Sequence, residues 1–168
     1  MKHLKTLLFA AALIVGTSFM NAQSKVAHIN TQELVEAMPA MQSAKAELEK
    51  LAKTYEADIQ TMATELQNKV KQYDAEASTK TQEENTKRMQ EVQGMEQSIR
   101  QYQAQAQQNL AKQEADLLEP ILKQAKDAVV KVAKAQGYEY VLDSTPGQGV
   151  ILSDGKDLLA DVKKELGF

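Results

Sequence analysis

Between Pro39 and Pro120 the chain has no proline, and between Gly16 and Gly137 its only glycine is Gly94. Ala, Glu, Gln, Lys, Leu and Met fill that span, residues that lose little on entering a helix. A helical run far longer than about 25 residues with periodic apolar positions is a coiled coil, a membrane span or a helical repeat. The dense charge excludes a membrane span. A rod, or a rod folded back on itself, remains.

The spacing supports a paired rod. Leu34, Met41, Leu48, Tyr55 and Met62 recur every seven residues. Met38, Ala52, Ile59 and Leu66 fall four residues after members of that series, Lys45 interrupts it, and Tyr73 continues it. Such a 3.5-residue period marks a helix seam. Met89, Val92, Ile99, Tyr102, Ala106, Leu110, Leu117 and Ile121 extend the pattern, thinned by Gln103 and Gln113. A seam of Met, Tyr and Ala beside Leu predicts a loose core.

Apolar residues lapse over 77–82, where Thr81 with Glu84, or Thr79 with Gln82, fits a capping box. Glu49–Lys53, Glu65–Lys69, Glu83–Lys87, Glu84–Arg88, Glu96–Arg100 and Glu119–Lys123 each place the acid four residues before the base, the favourable helical orientation. The reading is an antiparallel hairpin whose arms of roughly 45 residues would each reach about 65–70 Å. One continuous helix in a parallel dimer or trimer is the alternative.

Both ends of the chain differ from the rod. Lys2, His3 and Lys5 precede an apolar run from Leu7 to Val15, too short to span a bilayer, so residues 1–22 read as a signal peptide cleaved after Ala22. There is no cysteine, hence neither a lipid-anchored cysteine nor a disulfide. Lys25 to Asn30 reads as a short strand, with Asn30 or Thr31 capping the next helix. Gly137 ends a helix carrying Ala125, Ala128, Val129, Val132 and Ala133. Tyr138 to Asp143 reads as a strand, Pro146–Gly149 as a turn and Val150 to Leu152 as another strand. A last helix is expected from about Lys156 to Leu166, capped by Ser153 or Asp154 and ended by Gly167.

The fold class is therefore α+β: a small body from residues 23–38 and 120–168, with a helical hairpin of residues 39–119, tip near 77–82, inserted after the first strand. Three short strands leave open edges, and so small a body is marginal alone. Val26, Ile29, Tyr138, Tyr140, Val141, Leu142, Val150 and Ile151 are the candidates for self-association.

Composition narrows function. The net charge is −3 and becomes more negative once Lys2 and Lys5 leave with the signal, which favours neither nucleic acid nor an anionic membrane surface. A local basic patch of Lys80, Lys87 and Arg88 has Glu83 and Glu84 beside it and reads as a solvated, ion-paired face. His28 has no other imidazole or thiol outside the leader to form a metal set. The carboxylates stand at helix-surface spacing beside Lys and Arg, and no phosphate-binding glycine loop is present. No enzyme, cofactor or metal is expected.

K-V-A-H-I-N-T-Q-E-L-V-E-A-M-P, the long charged hairpin, L-L-E-P-I-L-K-Q-A-K-D-A-V-V-K-V-A-K-A-Q and above all G-Y-E-Y-V-L-D at Gly137 to Asp143 resemble the OmpH-like family of periplasmic chaperones. The resemblance covers essentially the whole chain after the leader. It implies a homotrimer whose strands form a central β-barrel and whose hairpins surround a cavity. Unfolded outer-membrane proteins would be held there without ATP. The negative charge departs from the basic character common in that family.

A holdase needs adaptable apolar contacts, which methionine supplies. Met62, Leu66, Tyr73, Met89, Val92 and Met95 are the candidate client contacts; the plainer role of each is core between two helices. Pro39 and Pro120, at comparable distances from the tip, and Gly94 are candidate hinges. The alternative function is a coiled-coil spacer or adaptor of the cell envelope, which would want a tighter Leu/Ile seam.

Overall fold

From Pro39 to Ala135 the computed structural model, which describes residues 25–168, is almost entirely helical. Strand β1 (Val26–Ile29) leads into helix α1 (Thr31–Ala37), then α2 (Pro39–Glu76), a 3-10 turn (Ala77–Thr79) and α3 (Gln82–Ala135); β2 (Tyr140–Asp143), β3 (Lys156–Asp157) and α4 (Leu159–Leu166) follow. The expected leader lies outside the described residues. By contact density the described chain forms two compact units, residues 35–124 and residues 25–34 with 125–168.

In the first unit, Pro39 separates α1 from α2. It occupies the first position of α2, behind an extended Met38, where its missing N–H leaves no helical bond unmade. The turn after α2 ends in the capping box expected at Thr81. Glu84 N–H donates to Thr81 Oγ1 at 3.2 Å, and Thr81 N–H donates to Glu84 Oε2 at 2.9 Å. Thr79 instead donates back to the Glu76 carbonyl. Pro120 lies inside α3, which is assigned as helix through it. Gly94 is also inside α3, and a methyl group there would meet nothing within 4 Å.

The seam drifts as a 3.6-residue helix must against a 3.5-residue pattern. Ala44, Ala106 and Ile121 are buried, while Met41, Leu48, Tyr55, Ile59, Met62 and Leu66 are half-buried and Ala52 is exposed. Of the expected helix-surface pairs, Glu49–Lys53 at 2.6 Å, Glu83–Lys87 at 2.8 Å and Glu96–Arg100 at 3.7 Å are formed. Lys69 and Arg88 depart from expectation. Both reach across to the other long helix, Lys69 to Glu91 and Arg88 to Glu76; for Arg88 the reason is that Glu84 is already used as the cap.

The second unit holds a three-stranded sheet of order β2-β1-β3, with both outer strands parallel to β1. Parallel pairing of β1 with β2 follows from the long helical crossover between them. Ala27 and Ile29 point to the core at 1% exposure, and Leu34, Leu158 and Val162 are fully buried. Ala125, Ala128, Val132 and Ala133 supply the buried face of α3 expected here.

Three expectations for the C-terminal region are corrected. Val150 to Leu152 is not a strand. β3 lies further on at Lys156–Asp157, and β2 and β3 form no hairpin because β1 sits between them. The 150–152 segment has β-favouring side chains, but no described strand pairs with it. The last helix begins at Leu159 rather than near Lys156; Leu158, not Ser153 or Asp154, stands at its N-cap position, and Asp157 just before it accepts from Leu159 N–H at 2.8 Å. Tyr138 likewise falls outside β2, in the stretch after Gly137.

Gly137 ends α3 as expected. Its φ of 74° lies in the left-handed region, which lets Tyr138 N–H reach the Ala133 carbonyl at 2.9 Å.

Candidate functional site

The two long helices are joined by polar bonds that bracket the loose seam. Gln113 Nε2 donates to Glu47 at 3.1 Å, Asn109 Nδ2 to the Tyr55 hydroxyl at 3.2 Å and the Tyr102 hydroxyl to Asp58 at 2.6 Å. Further along, Glu91 accepts from both Lys69 and the Tyr73 hydroxyl, Arg88 Nη2 donates to Glu76, and Asn85 Nδ2 donates to the Ala77 carbonyl at 2.9 Å. The α3 residues run in the opposite chain order to their α2 partners. The Tyr55 and Tyr102 rings meet edge to face at 6.0 Å, a favourable geometry for two quadrupoles.

Near the 3-10 turn these bonds frame a groove of about 410 Å³ whose lining includes Val70, Tyr73, Ala77, Arg88, Met89 and Val92. The Arg88 guanidinium stacks 4.5 Å from the Tyr73 ring centroid, a cation–π contact that holds the ring against the groove wall. Three of the six candidate contact residues, Tyr73, Met89 and Val92, thus meet at one place. Met62, Leu66 and Met95 are half-buried and do not line that groove. Val70, Ala77 and Arg88 are not among the expected contacts; Val70 lies outside the seam series, and Glu84 offers Arg88 a partner on its own helix. A second groove of about 500 Å³, lined partly by Ala52, Ile59, Ala106 and Leu110, runs beside the tyrosine pair.

Most of the charge around the distal groove is paired, although Arg88 Nη1 is buried without a hydrogen-bond partner. Donation from Lys69 and Tyr73 holds the Glu91 carboxyl below the usual range, Arg88 and then Gln72 do the same for Glu76, and Thr81 does so for Glu84. The bond to Glu91 pushes the Tyr73 hydroxyl up. A depressed carboxyl contributes stability that is present above its unfolded value and lost as pH falls through the folded one. The groove walls should therefore loosen only in acid below the ordinary carboxylate range.

The second surface is the outer face of the sheet. Register pairs Val26 with Tyr140 and His28 with Leu142, and alternation puts these four on the face opposite the core. Val26, Tyr140 and Leu142 are 45%, 59% and 47% exposed, and Ile151 and Leu152 in the following loop are fully or largely exposed. Ile29 instead faces inward, Val141 and Val150 are half-buried, and Tyr138 is half-buried outside the strand. Of the eight association candidates, Val26, Tyr140, Leu142 and Ile151 are therefore free to meet a partner.

Asp143 pins this sheet to α1. Burial raises its pKa, but donation from the Thr145 and Thr31 hydroxyls and backbone N–H groups outweighs that and lowers it to about 2. Thr31 Oγ1 lies 2.5 Å and Thr145 Oγ1 2.6 Å from the carboxylate. The Thr145 N–H bond back to Asp143 at 2.9 Å is an Asx turn. The D-S-T triplet at Asp143–Thr145 is the local signal for it, beyond the place of Asp143 at the end of β2. Thr145→Val removes a buried donor, and a cost of about 1–3 kcal/mol is expected, read as a lower urea midpoint. That deficit should shrink toward pH 2, since the contribution of Asp143 is lost as pH falls through its folded value.

No helix among the described residues is long and apolar enough to cross a membrane.

Comparison with known proteins gives a consistent result. Residues 25–166 match the sequence profile of the family described as outer membrane protein (OmpH-like). The chain is 27% identical over 166 residues to the chaperone protein Skp of Photorhabdus luminescens, covering 97% of this chain and 99% of that one. Its fold is similar to the crystal structure of an OmpH-like outer membrane chaperone from Caulobacter crescentus. The TM-score there is 0.78 at 19% identity, over 86% of this chain and 85% of the other.

Proposed function

This chain belongs to the OmpH-like family of outer membrane proteins, and from that premise we propose that it is an ATP-independent periplasmic holdase for unfolded outer-membrane β-barrel proteins. The observation that carries the reading is the distal groove. Tyr73, Met89 and Val92 present apolar surface there within a frame of paired charges. An unfolded β-barrel chain exposes apolar side chains and unpaired strand edges, which aggregate. A groove with adaptable walls binds many such segments weakly, with no single fit required. The hairpin of residues 39–119 is the gripping arm.

In this reading the working form is a homotrimer. The exposed face of Val26, Tyr140 and Leu142 closes against copies of itself into a β-barrel body, and three arms then border one cavity. Pro39, Pro120 and Gly94 are the places where an arm adapts to its load. Gly94 has the simplest test. It sits exposed in mid-helix with open space around it, so Gly94→Ala is expected to stabilise the arm by about 1 kcal/mol. Amide exchange around residues 90–98 should slow, and an unchanged exchange rate would remove Gly94 as a soft point.

The functional test uses a denatured outer-membrane β-barrel protein diluted into the protein without nucleotide. A soluble complex on size exclusion is the expected result. A client that precipitates with and without the protein contradicts the proposal and favours an envelope spacer.

A further inference from the structure

We propose that Met89 is an oxidation site through which a peroxide switches the distal groove from apolar to polar. The inference rests on the groove as the client-binding surface and adds its regulation. The chain has no cysteine, so its only oxidisable sulfurs are thioethers. Among the described methionines, Met38 is 2% exposed and Met41, Met62 and Met95 are half-buried, whereas Met89 is 57% exposed. It is also the only methionine in the groove lining, beside Val70, Ala77 and Val92. Chemical access and apolar contact therefore fall on one side chain, that of Met89.

The step is a two-electron oxygen transfer. The Sδ lone pair attacks the terminal oxygen of a hydroperoxide, and the S–O bond forms as the O–O bond breaks. The proton of the transferred oxygen passes to the departing oxygen, which leaves as an alcohol, or as water when hydrogen peroxide is used. Sulfur is oxidised by two electrons and the peroxide is reduced by two. The product is a polar, chiral sulfoxide in place of a flexible apolar side chain, reversible by methionine sulfoxide reductases. Next to Val70 and Val92 it weakens apolar binding without touching the polar bonds that join the helices.

The test treats the full-length mature protein with graded hydrogen peroxide, maps sulfoxides by peptide mass spectrometry, and titrates an apolar fluorescent dye and an unfolded β-barrel client. Met89 should be oxidised before Met41, Met62 and Met95. Dye and client affinity of the wild type should fall about threefold or more, and reductase treatment should restore both. Met89→Leu, with unchanged far-UV circular dichroism, should resist the same dose. Equal oxidation of all four methionines, equal losses in wild type and Met89→Leu, or no saturable dye binding each overturns the proposal. If dye binding responds as expected but the client is never held, the switch stands and the holdase reading fails.

Discussion

Replacing both Tyr140 and Leu142 by Asp is expected to convert the protein from an assembly into folded single chains. The two side chains stand two residues apart on β2, on the open face of the sheet, at 59% and 47% exposure. In the proposed assembly they are buried against copies of themselves. Burying several like charges at one interface without partners costs several kcal/mol per group, more than a contact of a few apolar side chains supplies. Light scattering should report the mass of one chain for the variant and a multiple of it for the wild type. Because neither residue packs in the core of its own unit, helical content should persist. An unchanged mass would show that another surface carries the association.

Leu34→Ala should have the largest effect on stability. Leu34 is fully buried in a small unit, and truncating such a residue costs roughly 2–5 kcal/mol through lost transfer energy and the cavity left behind. Small domains have only about 5–15 kcal/mol in total. The urea midpoint should therefore fall sharply. Leu122→Ala is the control: Leu122 is 51% exposed, and a change within about 0.5 kcal/mol is expected. Equal effects of the two substitutions would mean that the core of the second unit lies elsewhere.

These predictions draw unequally on what the sequence could say. The long helices were legible because propensity, periodicity and absent breakers all agree over many turns. The Thr81–Glu84 cap and the left-handed Gly137 were legible because their chemistry is local. β3 was not. Val150 to Leu152 carries the side chains of a strand, but a strand exists only where a ladder partner does, and the second partner of β1, beside β2, is the charged Lys156–Asp157. The groove was half legible. Tyr73, Met89 and Val92 could be named from spacing, whereas the turn of Arg88 onto Tyr73 and Glu76 depended on Glu84 being taken by the cap. The Asp143 pin was visible as a turn motif, but its bonds to Thr31 join residues more than a hundred positions apart.

A holdase of the proposed kind keeps unfolded outer-membrane proteins in solution. The turbidity of a denatured β-barrel client, diluted into buffer with stoichiometric protein and no nucleotide, reads this out. Wild type should suppress the rise in turbidity for several unrelated clients, and a variant with Met89 and Val92 changed to Ser should do so less well. Turbidity that rises to the same level with and without the protein, for each client, would show that the chain is not a holdase.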